Sequence, residues 1–494
     1  MTISLDAEQL AVVAHNPFTQ GNLKVNAGAG CGKTTTMVAV ANRWSDKKIL
    51  YITFNKDMIL EAEKKMPKNV ECRTGHSLAY AIFGKMLRTK LSRGNGAYKN
   101  QCSSASEIAK HFKLKDLGLG GGVFITSRAI GETIKRTVNN FEYSAERQIE
   151  HKHVDVSLVQ RHIDSGTLDV GKWQGTIVSY AQELWERRID PSCDTLCGHD
   201  TYFKLWHLSN PTFDGFDLIL LDEAQDTNDC MLDVLKRCGK PLVFVGDIFQ
   251  QLYSWRGSVN ALGKMETPTM LPLSTSFRFG KNVAKAANDI LNACKVEEID
   301  FTLKGCGVES LVGTKVSFGD APYTKIFRTN GALIQEAVDK MSEGVPVYIN
   351  IDTKDAVGML YSLIALRTGK MDKVTHGSVI AYSSWKDLDE DIEHGTVQPD
   401  VARFATMVTR GIASKTITLL SRYTKPKKAS VTLTTAHKAK GLEWDNVWIA
   451  EDFRDMEEDA AERNLWYVAV TRAKKRLRLS KQMNDFLYGE NENG

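Results

Sequence analysis

Ala27-Gly28-Ala29-Gly30-Cys31-Gly32-Lys33-Thr34-Thr35 combines alternating small residues, one lysine and adjacent hydroxyls, the residue types that phosphate chemistry requires. The glycines let successive N–H groups turn inward around a polyphosphate at a helix N-terminus. Lys33 adds a mobile cation for the terminal phosphates, and the Thr34 hydroxyl is placed for Mg²⁺. The general pattern asks for glycine where Ala27 stands, so context decides. Residues 23–25 form a short strand-like run before the loop, and Met37, Val40, Ala41 and Trp44 recur at helical spacing after it. Strand, loop and amphipathic helix in that order predict a nucleoside triphosphate site.

Carboxylates follow at matching positions. The apolar run 216–221 ends in Asp222-Glu223-Ala224-Gln225-Asp226. Asp222 can hold Mg²⁺ directly or through water, and Glu223 can accept a proton from the water that attacks the terminal phosphate. A second apolar run, 241–245, leads into Gly246-Asp247 and then Gln250, Tyr253, Trp255 and Arg256. Two strands ending in carboxylates predict neighbours in one parallel sheet, with the phosphate loop at the same edge. There the Gln250 amide can sense the terminal phosphate. Trp255, beside Arg256 and Gly257, is poorly placed for a core. In the second half, residues 273–280, 431–444 and 467–474 each set a cation or hydroxyl just after an apolar strand or at a helix start.

The elements that must position these groups are those of a large globular chain. At 494 residues, with 42% hydrophobic and 25% charged residues, it is long enough for about three domains. No run of eighteen apolar residues and no secretory signal occur, so no membrane partner is expected. Nine scattered cysteines, with Cys31 inside the phosphate loop, point to a reducing cytoplasmic or nuclear compartment. The net charge of +4 is too mild to identify a nucleic-acid partner, and the local cation runs 85–93 and 423–428 only support one. Residues 84–199 show helical periodicity and many charges, as an inserted subdomain would.

Taken together, the ordered segments resemble the motifs of a superfamily 1 helicase of the UvrD/Rep type. Leu5-Asp6-Ala7-Glu8-Gln9 resembles that family's adenine-reading segment, and its usual phosphate loop carries alanine at the first position. Within the family the chain is most similar to the F-box DNA helicase group. The residues that carry this are Tyr51-Ile52-Thr53-Phe54-Asn55-Lys56, Thr74-Gly75-His76-Ser77-Leu78-Ala79-Tyr80, Ser276-Phe277-Arg278-Phe279-Gly280 and His437-Lys438-Ala439-Lys440-Gly441-Leu442-Glu443. Gln9 lies almost at the start and no F-box-like segment precedes it, so a ubiquitin-ligase role is not expected.

The resemblance implies an α/β fold of two RecA-like parallel-sheet lobes with ATP in the cleft between them. It assigns 1–84 and 200–275 to the first lobe, 85–199 to a helical insertion, 276–365 and 401–494 to the second lobe, and 366–400 to a reduced accessory element. Residues 452–462 replace the strand-separating hairpin of larger members with a short acidic linker. The implied ATP site takes Gln9, the loop residues 27–35, Phe277 stacking on adenine, Gly441 and Glu443. Lys33, Asp222, Glu223, Gln250, Arg278 and Arg472 are the implied catalytic set, with Thr34 and Asp222 on Mg²⁺. Phe54, Asn55, Thr74, His76, Trp255, Arg256, Arg328, Thr435 and His437 are the implied DNA contacts. The expected activity is ATP-dependent 3′-to-5′ translocation on single-stranded DNA and unwinding of tailed or forked duplexes, by a monomer, in replication, recombination or repair, with possible proteins of those pathways as partners. An ATP-gated binding protein that unwinds little, and an RNA-directed motor, are the alternatives.

Overall fold

The computed structural model describes residues 4–53, 56–91, 103–120, 123–252, 261–265, 267, 269–293, 300–394, 397–420 and 428–489. The strands Ile49–Thr53, Leu218–Leu221 and Leu242–Gly246 are buried along their whole length. Continuous apolar runs of this kind belong inside parallel sheets covered on both faces. Together with Val70–Thr74, Leu23–Ala27 and Thr269–Leu273 they build a six-stranded parallel sheet. The strand ending at Leu221 lies beside the one ending at Gly246, which in turn pairs with Leu23–Ala27. The phosphate loop and both carboxylate clusters therefore leave the sheet from one edge, the arrangement the sequence predicts.

A second six-stranded parallel sheet runs in the order Leu311–Gly313, Ala473–Arg478, Trp444–Ile449, Tyr323–Phe327, Val431–Thr435, Val347–Asn350. The two sheets make the two RecA-like lobes. One continuous apolar cluster joins them, taking Val25 and Val245 from the first lobe and Val447, Tyr467 and Leu477 from the second.

The insertion in the first lobe holds the helices Ala105–His111, Ser127–Tyr143 and Val170–Ile189, packed around Ile134, Val138, Phe141, Trp173, Ile177 and Leu184. It also contains an antiparallel hairpin, Leu117–Gly120 with Val123–Ile125, that helical periodicity did not foretell. Polar contacts from buried Thr201 and Lys204 fix it to the lobe, around an ion pair within the insertion. Arg188 Nη1 donates to Glu142 Oε1 at 3.0 Å, and the same oxygen accepts from Thr201 Oγ1 at 2.6 Å. Lys204 Nζ donates to the Ser144 carbonyl at 2.7 Å.

In the second lobe, the helices Thr353–Arg367, Trp385–Glu393, Pro399–Thr409 and Ala413–Leu420 lie between the strands Val347–Asn350 and Val431–Thr435. The 366–400 stretch is thus the middle of a longer helical block. Among the described residues that block has no separate core: Leu360, Leu363 and Phe404 share one cluster with Phe327, Ile349 and Leu433 of the sheet. It also touches the insertion, where Arg128 Nη1 donates to the Val374 carbonyl and Arg136 Nη2 to the Gly377 carbonyl, each at 3.0 Å.

Because Glu142 and Arg188 are both almost fully buried, removing one leaves the other as an uncompensated charge. Arg188→Ala is expected to destabilise the insertion by about 3–5 kcal/mol. The Glu142→Gln/Arg188→Met double variant should recover most of that loss, as read by calorimetric unfolding.

Candidate active site

The phosphate loop takes its shape from backbone that only glycine accepts cheaply. Gly30 and Gly32 have φ of +77° and +73°. A Cβ on Gly30 would come within 2.6 Å of Arg278 Cβ and 2.7 Å of Ser276 Oγ, and one on Gly28 within 2.5 Å of Leu303. Ala27, where the general pattern has glycine, is fully buried in the core. Its methyl packs there instead of obstructing the loop. Gly32 precedes the helix Lys33–Arg43, whose first N–H groups have no intrahelical partner, the arrangement that binds anions. Thr34 and Thr35 are half-buried in its first turn. Cys31 is buried, which raises its thiol pKa and keeps it uncharged beside this anion site.

Gln9 and Phe277 meet over Gly32. A Cβ there would lie 2.8 Å from Gln9 Nε2 and 3.7 Å from the Phe277 ring. Asp6 and Gln9 cap their helix reciprocally, with Gln9 Oε1 accepting the Asp6 N–H at 3.1 Å, which leaves the amide NH₂ aimed at the loop. Phe277 is 50% exposed while Phe279 is fully buried, so of the two rings only Phe277 is available to a base. A cradle of N–H groups with an amide and an open ring beside it fits a purine nucleotide.

The carboxylates differ in environment. Tyr51 OH donates to Asp222 Oδ2 at 2.5 Å, and the Glu223 N–H to Asp222 Oδ1 at 2.8 Å. Burial first, then repulsion from Glu223, raises the Asp222 pKa. Glu223 has a left-handed backbone, φ 52°, uncommon for a residue with a side chain. Its Oε1 accepts from Lys33 Nζ at 2.8 Å and its Oε2 from Gln225 Nε2 at 2.5 Å. Burial opposes its ionisation, yet Lys33 and Lys440 outweigh burial and hold its pKa at about 2. A terminal phosphate that draws Lys33 away removes that counter-charge and makes Glu223 a better proton acceptor. Thr34 and Asp222 supply oxygen of the kind Mg²⁺ takes.

The same edge is wired to the second lobe. Asp247 Oδ2 accepts from Gln250 Nε2 at 2.7 Å, and Gln250 Oε1 accepts from Arg472 Nη2 at 3.2 Å. Arg472 is almost fully buried; desolvation and then Arg278 lower its pKa to about 9, still protonated at neutral pH. Arg278 Nε donates to Glu443 Oε2 at 2.8 Å and its Nη1 to the Thr471 carbonyl at 3.2 Å. Gly441, with φ +81°, makes the turn before Glu443. Lys440 Nζ donates to both Asp226 oxygens, at 2.7 and 2.6 Å, and to the Gln250 carbonyl at 2.5 Å.

Of the residues assigned to DNA, Phe54, Asn55, Trp255 and Arg256 lie outside the described residues. Thr74 caps the Gly75–Ala79 helix by accepting the Ser77 N–H at 3.0 Å. His76 lies 3.0 Å from Asp200 Oδ1 and stacks on Phe203 with centroids 4.8 Å apart. Thr435 is buried and half-buried His437 follows at the start of the Ala436–Ala439 helix. Arg328 Nε is held by both oxygens of buried Glu462, at 3.0 and 2.8 Å, and Asp452 accepts the Arg328 N–H at 3.0 Å. The acidic linker 452–462 therefore buttresses Arg328.

Sequence reasoning gave no role to Tyr51, Gln225, Lys440 or Tyr467. For Tyr51 a signal existed: a tyrosine within a fully buried strand must find a partner for its hydroxyl. Gln225 stands two residues from the Glu223 it holds, within the acidic segment itself, whereas Lys440 and Tyr467 pair across distant segments and left no local mark.

Two parallel-sheet lobes meeting at a phosphate loop, with arginines supplied from the far lobe, define a two-lobed P-loop NTPase. The particular family is the UvrD/Rep helicases, to which the chain belongs. Residues 5–266 match the UvrD/REP helicase N-terminal domain and residues 386–484 the UvrD-like helicase C-terminal domain. The chain is similar to F-box DNA helicase 1 of Gallus gallus, 29% identical over 98% of this chain and 50% of that protein. It is also similar to F-box DNA helicase protein 1 of Schizosaccharomyces pombe, at 31% over 97% and 58%, and to ATP-dependent DNA helicase UvrD1 of Mycobacterium leprae, at 23% over 58% and 39%. It spans about half the length of the first two. No helix among the described residues is long and apolar enough to cross a membrane.

Lys33→Ala and Glu223→Gln are both expected to abolish ATP turnover, for separable reasons. Lys33→Ala should weaken nucleotide binding, whereas Glu223→Gln should bind ATP and fail to release phosphate. Nucleotide titration beside a phosphate-release assay reads the difference, and near wild-type turnover by Glu223→Gln would remove that residue from the chemistry.

Proposed function

We propose that the chain is an ATP-driven motor that moves 3′ to 5′ along single-stranded DNA and unwinds tailed or forked duplexes. The observation that carries this is the Asp247–Gln250–Arg472 line, which joins the end of a first-lobe strand to a buried arginine of the second lobe. Hydrolysis that depends on such an arginine depends on how the lobes are placed, so chemistry and movement share one set of contacts.

In this reading Gln9, Phe277 and residues 27–35 bind ATP, with Gly441 and Glu443 at the far rim. Thr34 and Asp222 hold Mg²⁺, which when bound supplies positive charge to the phosphates. Lys33 leaves Glu223 for the terminal phosphate, and Glu223 then orients the attacking water. Arg278 and Arg472 add positive charge where the transition state gathers negative charge, an effect of about 10³ to 10⁵ in rate for such arginines. Gln250 reports the result along the chain toward Trp255 and Arg256.

Phe54 and Trp255 stack on bases, and Asn55, Thr74, His76, Arg256, Arg328, Thr435 and His437 contact the strand or relay between sites. Stacking tolerates any sequence and contributes about 1–3 kcal/mol per base. The family membership and the similarity to named DNA helicases support DNA as the substrate. The motor works as a monomer, with the lobes divided at 1–84 with 200–275 and 276–365 with 401–494, and serves replication, recombination or repair.

Arg278→Ala and Arg472→Ala should lose at least about a hundredfold in turnover while ATP affinity falls only a few-fold, since their contribution is greatest in the transition state. Equal losses in both would mark a ground-state role.

Direction is read by streptavidin displacement from end-labelled single strands. Faster displacement from the 5′ end is expected, and a preference for the 3′ end would reverse the assigned polarity. On partial duplexes, unwinding should require a 3′ tail, ATP and Mg²⁺, and binding should weaken steeply with salt.

A further inference from the structure

Tyr467 joins the lobes at a point that the chemistry above does not use. It lies within the second-lobe helix Ala460–Val470 and is fully buried. Its hydroxyl accepts the Ala29 N–H of the phosphate loop at 3.1 Å and donates to Asp247 Oδ2 at 3.2 Å. Its ring meets Phe249 edge-on with centroids 5.7 Å apart, which fixes the phenol in direction as well as in reach. Burial and then Asp247 push its ionisation well above the ordinary phenol range. It therefore stays neutral, and one hydroxyl accepts and donates at once.

Ala29 sits between Gly28 and Gly30, in the stretch whose N–H groups are shaped for phosphate. An N–H of that stretch turned toward a second-lobe hydroxyl ties the shape of the loop to the position of the second lobe. Ser276 Oγ holds the Ala29 carbonyl at 2.8 Å, so the residue is gripped on both sides. Asp247, the other partner of Tyr467, also carries Gln250. Displacement of the Ala460–Val470 helix would reach the loop through Ala29 and Gln250 through Asp247, both by way of the one Tyr467 hydroxyl.

We propose that Tyr467 is a positioning residue that passes movement of the second lobe to the phosphate loop and to Asp247, and so sets how strongly strand engagement changes ATP turnover. This deepens the motor reading and rests on it for the coupling.

The test is Tyr467→Phe in the full chain, which removes the hydroxyl and keeps the ring. Hydrogen exchange at the Ala29 amide in nucleotide-free protein should rise about fivefold, the size of one lost neutral hydrogen bond. The stimulation of turnover by single-stranded DNA should fall by a similar factor, with KM for ATP within about twofold of wild type. A residue that only fills space would leave both the exchange rate and the stimulation ratio where they are, and that result would overturn the proposal. Absence of any stimulation in the wild type would sink the motor reading and the coupling role with it, while faster exchange in Tyr467→Phe would still show the loop held from the second lobe.

Discussion

The structure depends on one buried polar seam between the lobes, centred on Gln250. Its side-chain NH₂ serves Asp247, its side-chain carbonyl takes Arg472, and its backbone carbonyl takes Lys440. Buried polar groups that lose a partner cost far more than a satisfied pair contributes, so an amide with both ends committed has one acceptable orientation. The sheets bring the two halves of this seam to the same edge. The surrounding apolar cluster excludes water from it and so makes each contact count.

Several features tie that seam to the carboxylates beside it. Gly246 is glycine because a Cβ there would lie 2.3 Å from Gln225 Oε1, the oxygen that accepts the Asp247 N–H. Gln225 in turn holds Glu223, whose left-handed backbone turns its carboxylate toward Lys33. The strain at Glu223, of order 1–3 kcal/mol for such a conformation, is sustained by neighbours on every side. Asp226, raised to a pKa of about 6 chiefly by burial, is kept ionised at neutral pH with Lys440 across the cleft.

Much of this was legible in the sequence because it is local. The phosphate loop, the acids at Asp222 and Asp247 and the amide at Gln250 follow strands whose apolar runs mark them, and a parallel sheet fixes where strand ends go. Phe277 and Phe279 flank Arg278 symmetrically in sequence, and only the fold separates the open ring from the buried one. Arg328 illustrates the opposite limit: its guanidinium is occupied by Glu462, more than a hundred residues away. The Asp226–Lys440 and Ala29–Tyr467 contacts likewise join segments hundreds of residues apart. The antiparallel pair Leu117–Gly120 with Val123–Ile125 escaped because strands of four and three residues are too short to show a period. The helices within 353–420 share the sheet's core, so no change of composition marks where an accessory element would begin.

The contacts of Arg128 and Arg136 with the Val374 and Gly377 carbonyls give the two lobes a second meeting point, remote from the ATP cleft. Two bodies pinned at separated places have no free hinge, because rotation about either pin must stretch the other. The weaker pin sets the range of motion. The outer bonds are partly buried and the bonds of the seam fully so, which makes the seam the costlier of the two to open. In a body held this way any turning would be about the tighter joint, and its reach would grow with distance from that joint.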